Sequence, residues 1–184
     1  MIYIFLADGF EEIEAVAPID MLRRAGREAV TVKTGGGADN KVSGSRNIEI
    51  YADISEDKTD FKKAEMIVLP GGAAGVENLY NSETVKKIVG YCAERGIPIG
   101  AICAAPSIPA RMGYLSGIRA AAHPSFRHFL TENGAIPEED KKVVTDGIFT
   151  TAAGAGVSVE FALELVRILN GEQQAKKIAD QILF

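Results

Sequence analysis

The sequence is poor in the residues that build disulfide frameworks and zinc sites. Its 184 residues include two cysteines, Cys92 and Cys103, and two histidines, His123 and His128. Two cysteines do not make a disulfide framework, so the expected location is the reducing cytoplasm. Cysteine and histidine are nowhere closely clustered in the sequence, which argues against a zinc site, and we expect no metal.

Long apolar runs and an excess of positive charge are also missing. No apolar stretch approaches the length needed to cross a bilayer, and the start, MIYIFLADGFEE, has no basic leader. We therefore expect neither a membrane span nor a signal peptide. The net charge is -5, with both signs scattered along the chain. Nucleic-acid binders usually carry a basic stripe, so we expect no nucleic-acid partner.

Apolar residues, in contrast, are plentiful, and their pattern indicates the fold. They make up 47% of the chain, which suits one α/β domain over residues 1–184. Short apolar runs predict strands at 2–7, 29–34, 65–72, 97–102 and 118–123, with a hairpin at 142–153. Helices are predicted at 11–26 (disturbed in its middle by Pro18), 82–96, 157–171 and from there to the C-terminus. This alternation predicts a mostly parallel sheet with helices on both faces.

Cys103 has the sequence context of a nucleophile elbow. It follows the apolar run at 97–102, and the residues two places to either side are small, as crowded strand and helix backbones require. A helix starting directly behind it would lower the pKa of the thiol, and the N–H of Ala104 would point at an oxyanion. Gly72 is a candidate second donor, since glycine lets a backbone approach closely. The alternative is a small packed thiol, the interpretation we prefer for Cys92 within its helix.

Two other side chains are candidates for proton transfer at the same edge of the sheet. Glu14 lies early in a helix among apolar neighbours, where burial would raise its pKa; a solvated surface carboxylate is the alternative. His123 ends a predicted strand and either completes a Cys–His pair or only caps and packs, whereas His128 suits a surface helix. The glycines of PGGAAG fit neither a dinucleotide fingerprint nor a P-loop, so nucleotide binding is not expected.

Five sequence blocks occur in an order and spacing typical of one family: GFEEIEAVAPIDMLRRAG, VLPGG, GAICAAP, AAHP and EFALELVRILNG. On these blocks the chain resembles, almost end to end, the ThiJ/PfpI family in the branch of the Parkinson-linked protein deglycase, within the class I glutamine amidotransferase-like superfamily. The resemblance implies a flavodoxin-like three-layer sandwich, usually a homodimer, with a reactive cysteine at the elbow and no metal or organic cofactor.

The resemblance also implies a role for each matching residue. The nucleophilic, oxidisable cysteine falls on Cys103, its buried glutamate partner on Glu14 and the pocket histidine on His123. The remaining binding positions are the oxyanion amides of Gly72 and Ala104, the neighbouring Gly71, and two pocket arginines, Arg46 and Arg24.

Two departures from the family pattern bear on function. Protease-like relatives place a histidine directly after the cysteine, where this chain has Ala104, so peptidase activity is not expected. Ala155 stands where relatives often have proline, in a loop that borders the pocket in the family.

Two functions of different classes follow. In the first, Cys103 attacks a small 2-oxoaldehyde, or its early adduct on an amine or thiol, and a 2-hydroxy acid is released. This is the activity described as glyoxalase III-like (a lyase) or deglycase-type (a hydrolase). In the second, the chain is a redox-sensing or chaperone-like stress protein whose Cys103 oxidises to sulfinate beside Glu14.

Overall fold

Alternating strands and helices build a central sheet that is covered on both faces. The computed structural model describes residues 1–37 and 39–184. The strands are β1 (Ile2–Leu6), β2 (Ala29–Lys33), β3 (Lys41–Ser43), β4 (Glu49–Tyr51), β5 (Ile54–Ser55), β6 (Met66–Leu69), β7 (Ile99–Ile102), β8 (Arg119–Ala120), β9 (Ile136–Pro137), β10 (Val143–Asp146) and β11 (Phe149–Ala152). The helices are α1 (Glu12–Arg24), α2 (Ala73–Asn81), α3 (Glu83–Arg95), α4 (Ser107–Arg111), α5 (Arg127–Glu132), α6 (Ser158–Asn170) and α7 (Glu172–Ile182).

The order of the strands identifies the topology. The central sheet runs β10-β11-β7-β6-β1-β2-β5, and every neighbouring pair is parallel except the β10–β11 hairpin. The run β2-β1-β6-β7-β11 is the flavodoxin order that the family resemblance implies. The strands after β1 are added first on one side of it (β2, β5) and then on the other (β6, β7, β11). Ligands of such sheets bind beyond the carboxyl ends of the strands at this switch point, between β1 and β6.

Two apolar cores flank the sheet. On one face the inner sides of α2 and α3 are buried, including Leu79, Val85 and Ile88. On the other face α1, α6 and α7 pack together and bury Leu22 and Phe161 among others. Each fully buried side chain of this size stabilises the fold by roughly 1.5–3 kcal/mol. The arrangement confirms the predicted three-layer α/β sandwich. None of the helices in the described part of the chain combines the length and hydropathy that a membrane span requires.

Pro18 disturbs the first helix by removing one hydrogen bond but does not end it. The helix α1 continues through Pro18 to Arg24. Pro18 has no N–H, so the carbonyl oxygen of Glu14 lacks its usual i+4 donor. Burial of Met21 and Leu22 against the sheet keeps the helix intact despite that missing bond.

The strand predicted at 118–123 is shorter than expected and does not belong to the central sheet. Only Arg119–Ala120 form β8, which pairs with β9 outside the central sheet. Beyond it, the Ala121 N–H donates to Thr151 Oγ1 at 2.9 Å, so a side chain takes the place of a strand neighbour. An apolar run alone does not distinguish these two ways of satisfying a buried backbone.

Candidate active site

Cys103 sits in a strained turn directly after β7. Its φ is +66°, a left-handed conformation that costs a non-glycine residue roughly 1–3 kcal/mol. Two backbone bonds hold it there: its N–H donates to the Ala152 carbonyl at 2.8 Å, and its carbonyl accepts from the His123 N–H at 2.9 Å. Ala104 and Ala105 behind it are fully buried, so only small side chains fit at this turn.

The helix behind the cysteine is weaker than the sequence suggests. The chain passes first through hydrogen-bonded turns, and α4 begins only at Ser107 and spans five residues. A helix this short and this displaced adds little to a thiolate at Cys103.

The predicted lowering of the thiol pKa is also wrong. Burial, together with the charge of Glu14 and its hydrogen bond, raises the pKa of Cys103 to about 12. The N–H groups of Ala104 and Gly72 act in the opposite direction, because they favour the thiolate. The two amides expected to serve an oxyanion thus both lie close enough to act on the sulfur. While Glu14 is ionised, however, Cys103 rests as a thiol.

Glu14 is completely buried, so its interpretation as a solvated surface charge is wrong. Its Oε2 accepts a 2.8 Å hydrogen bond from the Gly71 N–H. Its Oε1 is buried and has no hydrogen-bond partner of normal geometry among the described residues. Burial raises the pKa of Glu14 to about 7, although Cys103 and Gly71 pull it down. Near neutral pH this carboxyl can therefore either accept or supply a proton beside the sulfur.

Gly71 and Gly72 bring the loop after β6 against both partners. A Cβ on Gly71 would lie 2.7 Å from Cys103 Cβ and would collide with Glu14 Oε2. Gly72 has a φ of +93°, and a Cβ there would lie 2.8 Å from the Glu11 nitrogen. A side chain on Gly71 would separate the carboxyl from the thiol, and one on Gly72 would collide with the backbone of Gly9 and Glu11, so glycine is required at both positions.

Cys103 and Glu14 line a cavity of about 880 Å³, and the other predicted site residues divide into two groups. Gly72, Ala104, His123 and Arg46 line the same cavity. Gly71 and Arg24 do not. Gly71 packs against Glu14 and Cys103, and Arg24 lies at the end of α1, where its Nε pairs with Asp20 at 2.9 Å. Within this single chain the structure does not bring Arg24 to the cavity.

His123 is exposed at the rim of the cavity, where its backbone and its ring are both anchored. Its N–H bonds to the Cys103 carbonyl, and its Nδ1 accepts from the Ser125 N–H at 3.3 Å. A neutral ring therefore carries its proton on Nε2. The ring both caps a turn, as the structural alternative held, and lines the cavity that contains the thiol.

Glu11, Phe126 and Lys142 are the largest of the cavity side chains that sequence reasoning missed. The Glu11 Oε2 accepts a 2.9 Å hydrogen bond from Ser45, in the turn that also presents Arg46. A signal was available for Glu11, which belongs to the acidic run before Glu14. Phe126 lies three residues after the predicted His123, whereas no signal was available for Lys142, which precedes a strand far from the other predicted site residues.

The structure also places the loop that differs from the family pattern at Ala155, together with the second cysteine and the second histidine. Ala155 lines the cavity between two glycines, Gly154 and Gly156. Cys92 is fully buried in the core, where burial raises its pKa to about 12, as expected of a packed thiol. His128 is exposed on α5. Residues 1–37 and 39–184 contain no group of three or more acidic, histidine or cysteine side chains arranged to hold a metal ion.

Comparison with known proteins extends the likeness over nearly the whole chain. The model of the DJ-1/PfpI family matches residues 1–168. Protein DJ-1 homolog B of Arabidopsis thaliana is 36% identical over 179 residues, which are 97% of this chain but only 40% of that protein. The glutathione-independent glyoxalase DJ-1 of Schizosaccharomyces pombe is 32% identical over 180 residues, 95% of this chain and 91% of the relative. The structure of oxidized Toxoplasma gondii DJ-1 superposes with a TM-score of 0.92 at 32% identity, covering 100% and 97% of the two chains.

Proposed function

The chain belongs to the DJ-1/PfpI family, and from that premise we propose that it is a cysteine-dependent enzyme acting on small 2-oxoaldehydes or their early adducts. One observation carries the proposal. The carboxyl of buried Glu14 lies beside a thiol that a strained turn holds in a cavity, and the hydrogen bond between the two groups shifts the pKa of both. The S. pombe relative named a glutathione-independent glyoxalase supports the reaction class.

Glu14 serves as the base that activates the thiol. As Cys103 Sγ attacks the aldehyde carbon of a substrate such as methylglyoxal, the thiol proton passes to Glu14. A carboxyl with a pKa of about 7 is suited to this step near neutral pH, since it is a stronger base than an ordinary carboxylate and is still partly ionised. The carbonyl oxygen becomes an oxyanion, and the N–H groups of Gly72 and Ala104 stabilise the tetrahedral hemithioacetal.

Proton transfer then completes an internal redox reaction, so that no external oxidant or reductant is consumed. Glu14 and His123 move the C1 hydrogen of the hemithioacetal to C2, which oxidises C1 and reduces C2. The product is a 2-hydroxyacyl thioester on Cys103. Water cleaves the carbon–sulfur bond, and the 2-hydroxy acid leaves with the thiol restored. None of these steps requires a metal or an organic cofactor.

Lactate formation from methylglyoxal tests the proposal. Cys103→Ser and Glu14→Gln are each expected to lower turnover by at least about 100-fold, the range of a lost nucleophile or general base. Cys92→Ser is the matched control, because that thiol lies in the core and outside the cavity. Unchanged lactate production by the Cys103 and Glu14 variants would refute the proposed activity.

A second function rests on the same pair. A protonated Glu14 can donate a hydrogen bond to the oxygens of an oxidised Cys103, and this bond stabilises the sulfinate form. The relative from T. gondii whose structure is of an oxidized form supports this alternative, in which the chain senses oxidative stress. Intact mass spectrometry under graded peroxide distinguishes the two cysteines: Cys103 should gain two oxygen atoms before Cys92 reacts. Oxidation of Cys92 first would exclude this function.

We further propose a cytoplasmic homodimer. Ile13 and Val16 expose 56% and 48% of their surface on α1, and Ile48 exposes 56% in the β3–β4 turn. That turn lies against the start of α1, since the Arg46 N–H donates to Glu12 at 2.6 Å. Apolar side chains gathered in this way mark an interaction surface, and a second copy of the chain would cover them.

A further inference from the structure

Lys142 is a cation of the active-site cavity to which no role is yet attached. It directly precedes β10, and its carbonyl accepts a 2.8 Å hydrogen bond from the Ala153 N–H. Ala153 begins the small-residue wall of the cavity, so this bond fixes Lys142 beside that wall. Lys142 forms no ion pair within 4.0 Å with any carboxylate in the part of the chain that the structure describes.

Arg46 shares this property on another segment of the wall. It lies in the turn between β3 and β4, and its Nη1 contacts only Ser45, at 3.2 Å to the carbonyl and 3.4 Å to the hydroxyl. Surface arginines and lysines elsewhere in the chain commonly pair with acids, as Arg24 and Arg167 do. Two unpaired cations therefore line the cavity of a protein whose net charge is -5.

The carboxylates of the cavity do not neutralise these cations by direct contact. Glu11 accepts a hydrogen bond from the Ser45 hydroxyl, and Glu14 is buried against Gly71 and Cys103. The cavity is also large for a three-carbon aldehyde, because about 880 Å³ lies in the range that accommodates drug-sized ligands. A substrate can therefore extend from the thiol to the wall that carries Lys142.

We propose that Lys142, acting with Arg46, is a specificity-determining residue that selects electrophilic carbonyl compounds bearing a carboxylate or phosphate. This inference rests on the proposed function for its substrate class. The reacting carbonyl lies at Cys103, and the anionic end lies at the two unpaired cations. Lys142 acts on binding and takes no part in the chemical steps.

Alkylation of Cys103 tests the charge preference without requiring turnover. Iodoacetate and iodoacetamide are nearly the same size, react by the same displacement of iodide by sulfur, and differ in charge. The rate constant for each is measured at Cys103 by peptide mass spectrometry, so that Cys92 does not contribute. The ratio of the iodoacetate rate to the iodoacetamide rate is expected to fall about three- to five-fold in Lys142→Gln, as for loss of one exposed charge pair.

Lys141→Gln is the matched control. Lys141 is adjacent and exposed, but it pairs with Glu138 at 3.4 Å and does not line the cavity. Its substitution should leave the ratio unchanged, and added salt should shrink the difference between wild type and Lys142→Gln. The proposal is overturned if Lys142→Gln keeps the wild-type ratio, or if Lys141→Gln lowers it equally.

Turnover provides the second arm. The substrates are 4,5-dioxovalerate, a 2-oxoaldehyde ending in a carboxylate, and 2-oxopentanal, in which a methyl group replaces that carboxylate. Lys142→Gln should lower kcat/KM for the anionic substrate about three- to five-fold more than for the neutral one. If wild type turns over neither compound, the proposed function fails, and the alkylation ratio still decides the role of Lys142. If wild type turns over both and the variant loses equally on both, only the role of Lys142 fails.

Discussion

Replacing Glu14 by glutamine should make the free energy of unfolding, relative to that of wild type, more favourable to the folded state at alkaline pH than at acidic pH. The pKa of Glu14 rises from 4.5 to about 7 on folding because the carboxyl is buried. Between these pH values the folded protein binds more protons than the unfolded chain, so its stability falls as the pH rises through this window. The difference corresponds to about 3 kcal/mol, at 1.36 kcal/mol for each pH unit, and it is fully expressed above pH 7.

Glutamine removes the charge and keeps the shape. Its carbonyl can accept from the Gly71 N–H, but an amide NH2 then occupies the place of the unpartnered Oε1. A poorly satisfied donor there would cost about 1–3 kcal/mol in the variant at every pH, so the difference between two pH values is the informative quantity. We expect Glu14→Gln to gain about 3 kcal/mol relative to wild type on going from about pH 4.5 to about pH 8.

Urea unfolding of both proteins across this pH range measures the effect. Glu132→Gln is the control, because Glu132 is an exposed carboxylate at the end of α5. A stability difference between Glu14→Gln and wild type that stays constant with pH would refute the reasoning, since it would mean that Glu14 titrates at the same pH in both states. A pH-dependent difference of the same size in Glu132→Gln would trace the effect to general charge instead.

Three further substitutions have defined outcomes. Gly71→Ala should destabilise the fold by about 1–3 kcal/mol in urea unfolding and abolish turnover, because its Cβ would lie 2.7 Å from Cys103 Cβ. Its control is Gly156→Ala, whose Cβ meets nothing within 4 Å and which should unfold like wild type. Ala155→Pro should stabilise by about 0.4–1 kcal/mol in the same measurement, since it opens a short helical turn where a fixed φ is tolerated; destabilisation would show that this backbone is not compatible with proline. Ile13→Glu should produce monomers in light scattering after size exclusion, because it puts a charge on the exposed apolar face of α1; an unchanged mass would place any dimer interface elsewhere.

The sheet and the turn at Cys103 follow from local sequence for physical reasons. A strand covered on both faces must be apolar throughout, and all five residues of β1 are buried. The small residues around Cys103 indicate the crowding that the left-handed φ of +66° then shows. The run at 118–123 was misjudged because tertiary packing, not local propensity, decides whether a strand pairs, and packing likewise carries α1 through Pro18.

The electrostatics of the site could not be predicted from local sequence. The expectation for Cys103 took account of a helix dipole, but the helix starts late and a buried carboxylate lies beside the sulfur instead. Glu14 precedes Cys103 by nearly ninety residues, so its charge reaches the thiol only because β6 pairs with both β1 and β7 in the sheet. Lys142 likewise reaches the cavity through the pairing of β10 with β11, which brings its carbonyl to Ala153.

The burial of Glu14 lowers the stability of the fold, and it also explains why a glutamate is present at this position. A glutamate at this position weakens the fold by up to about 3 kcal/mol above pH 7, and a neutral side chain of the same shape would remove that cost. A carboxyl held there for packing alone would need no ionisation. Burial raises the pKa of Glu14 toward neutrality and holds the carboxyl in hydrogen-bond contact with a thiol that burial keeps protonated. When Glu14 is ionised the thiol holds the proton of the pair, and an approaching electrophile shifts that proton from sulfur to oxygen. Cys103 has to be activated by its partner at the moment of reaction, and Gly71 is the residue that keeps the two in contact.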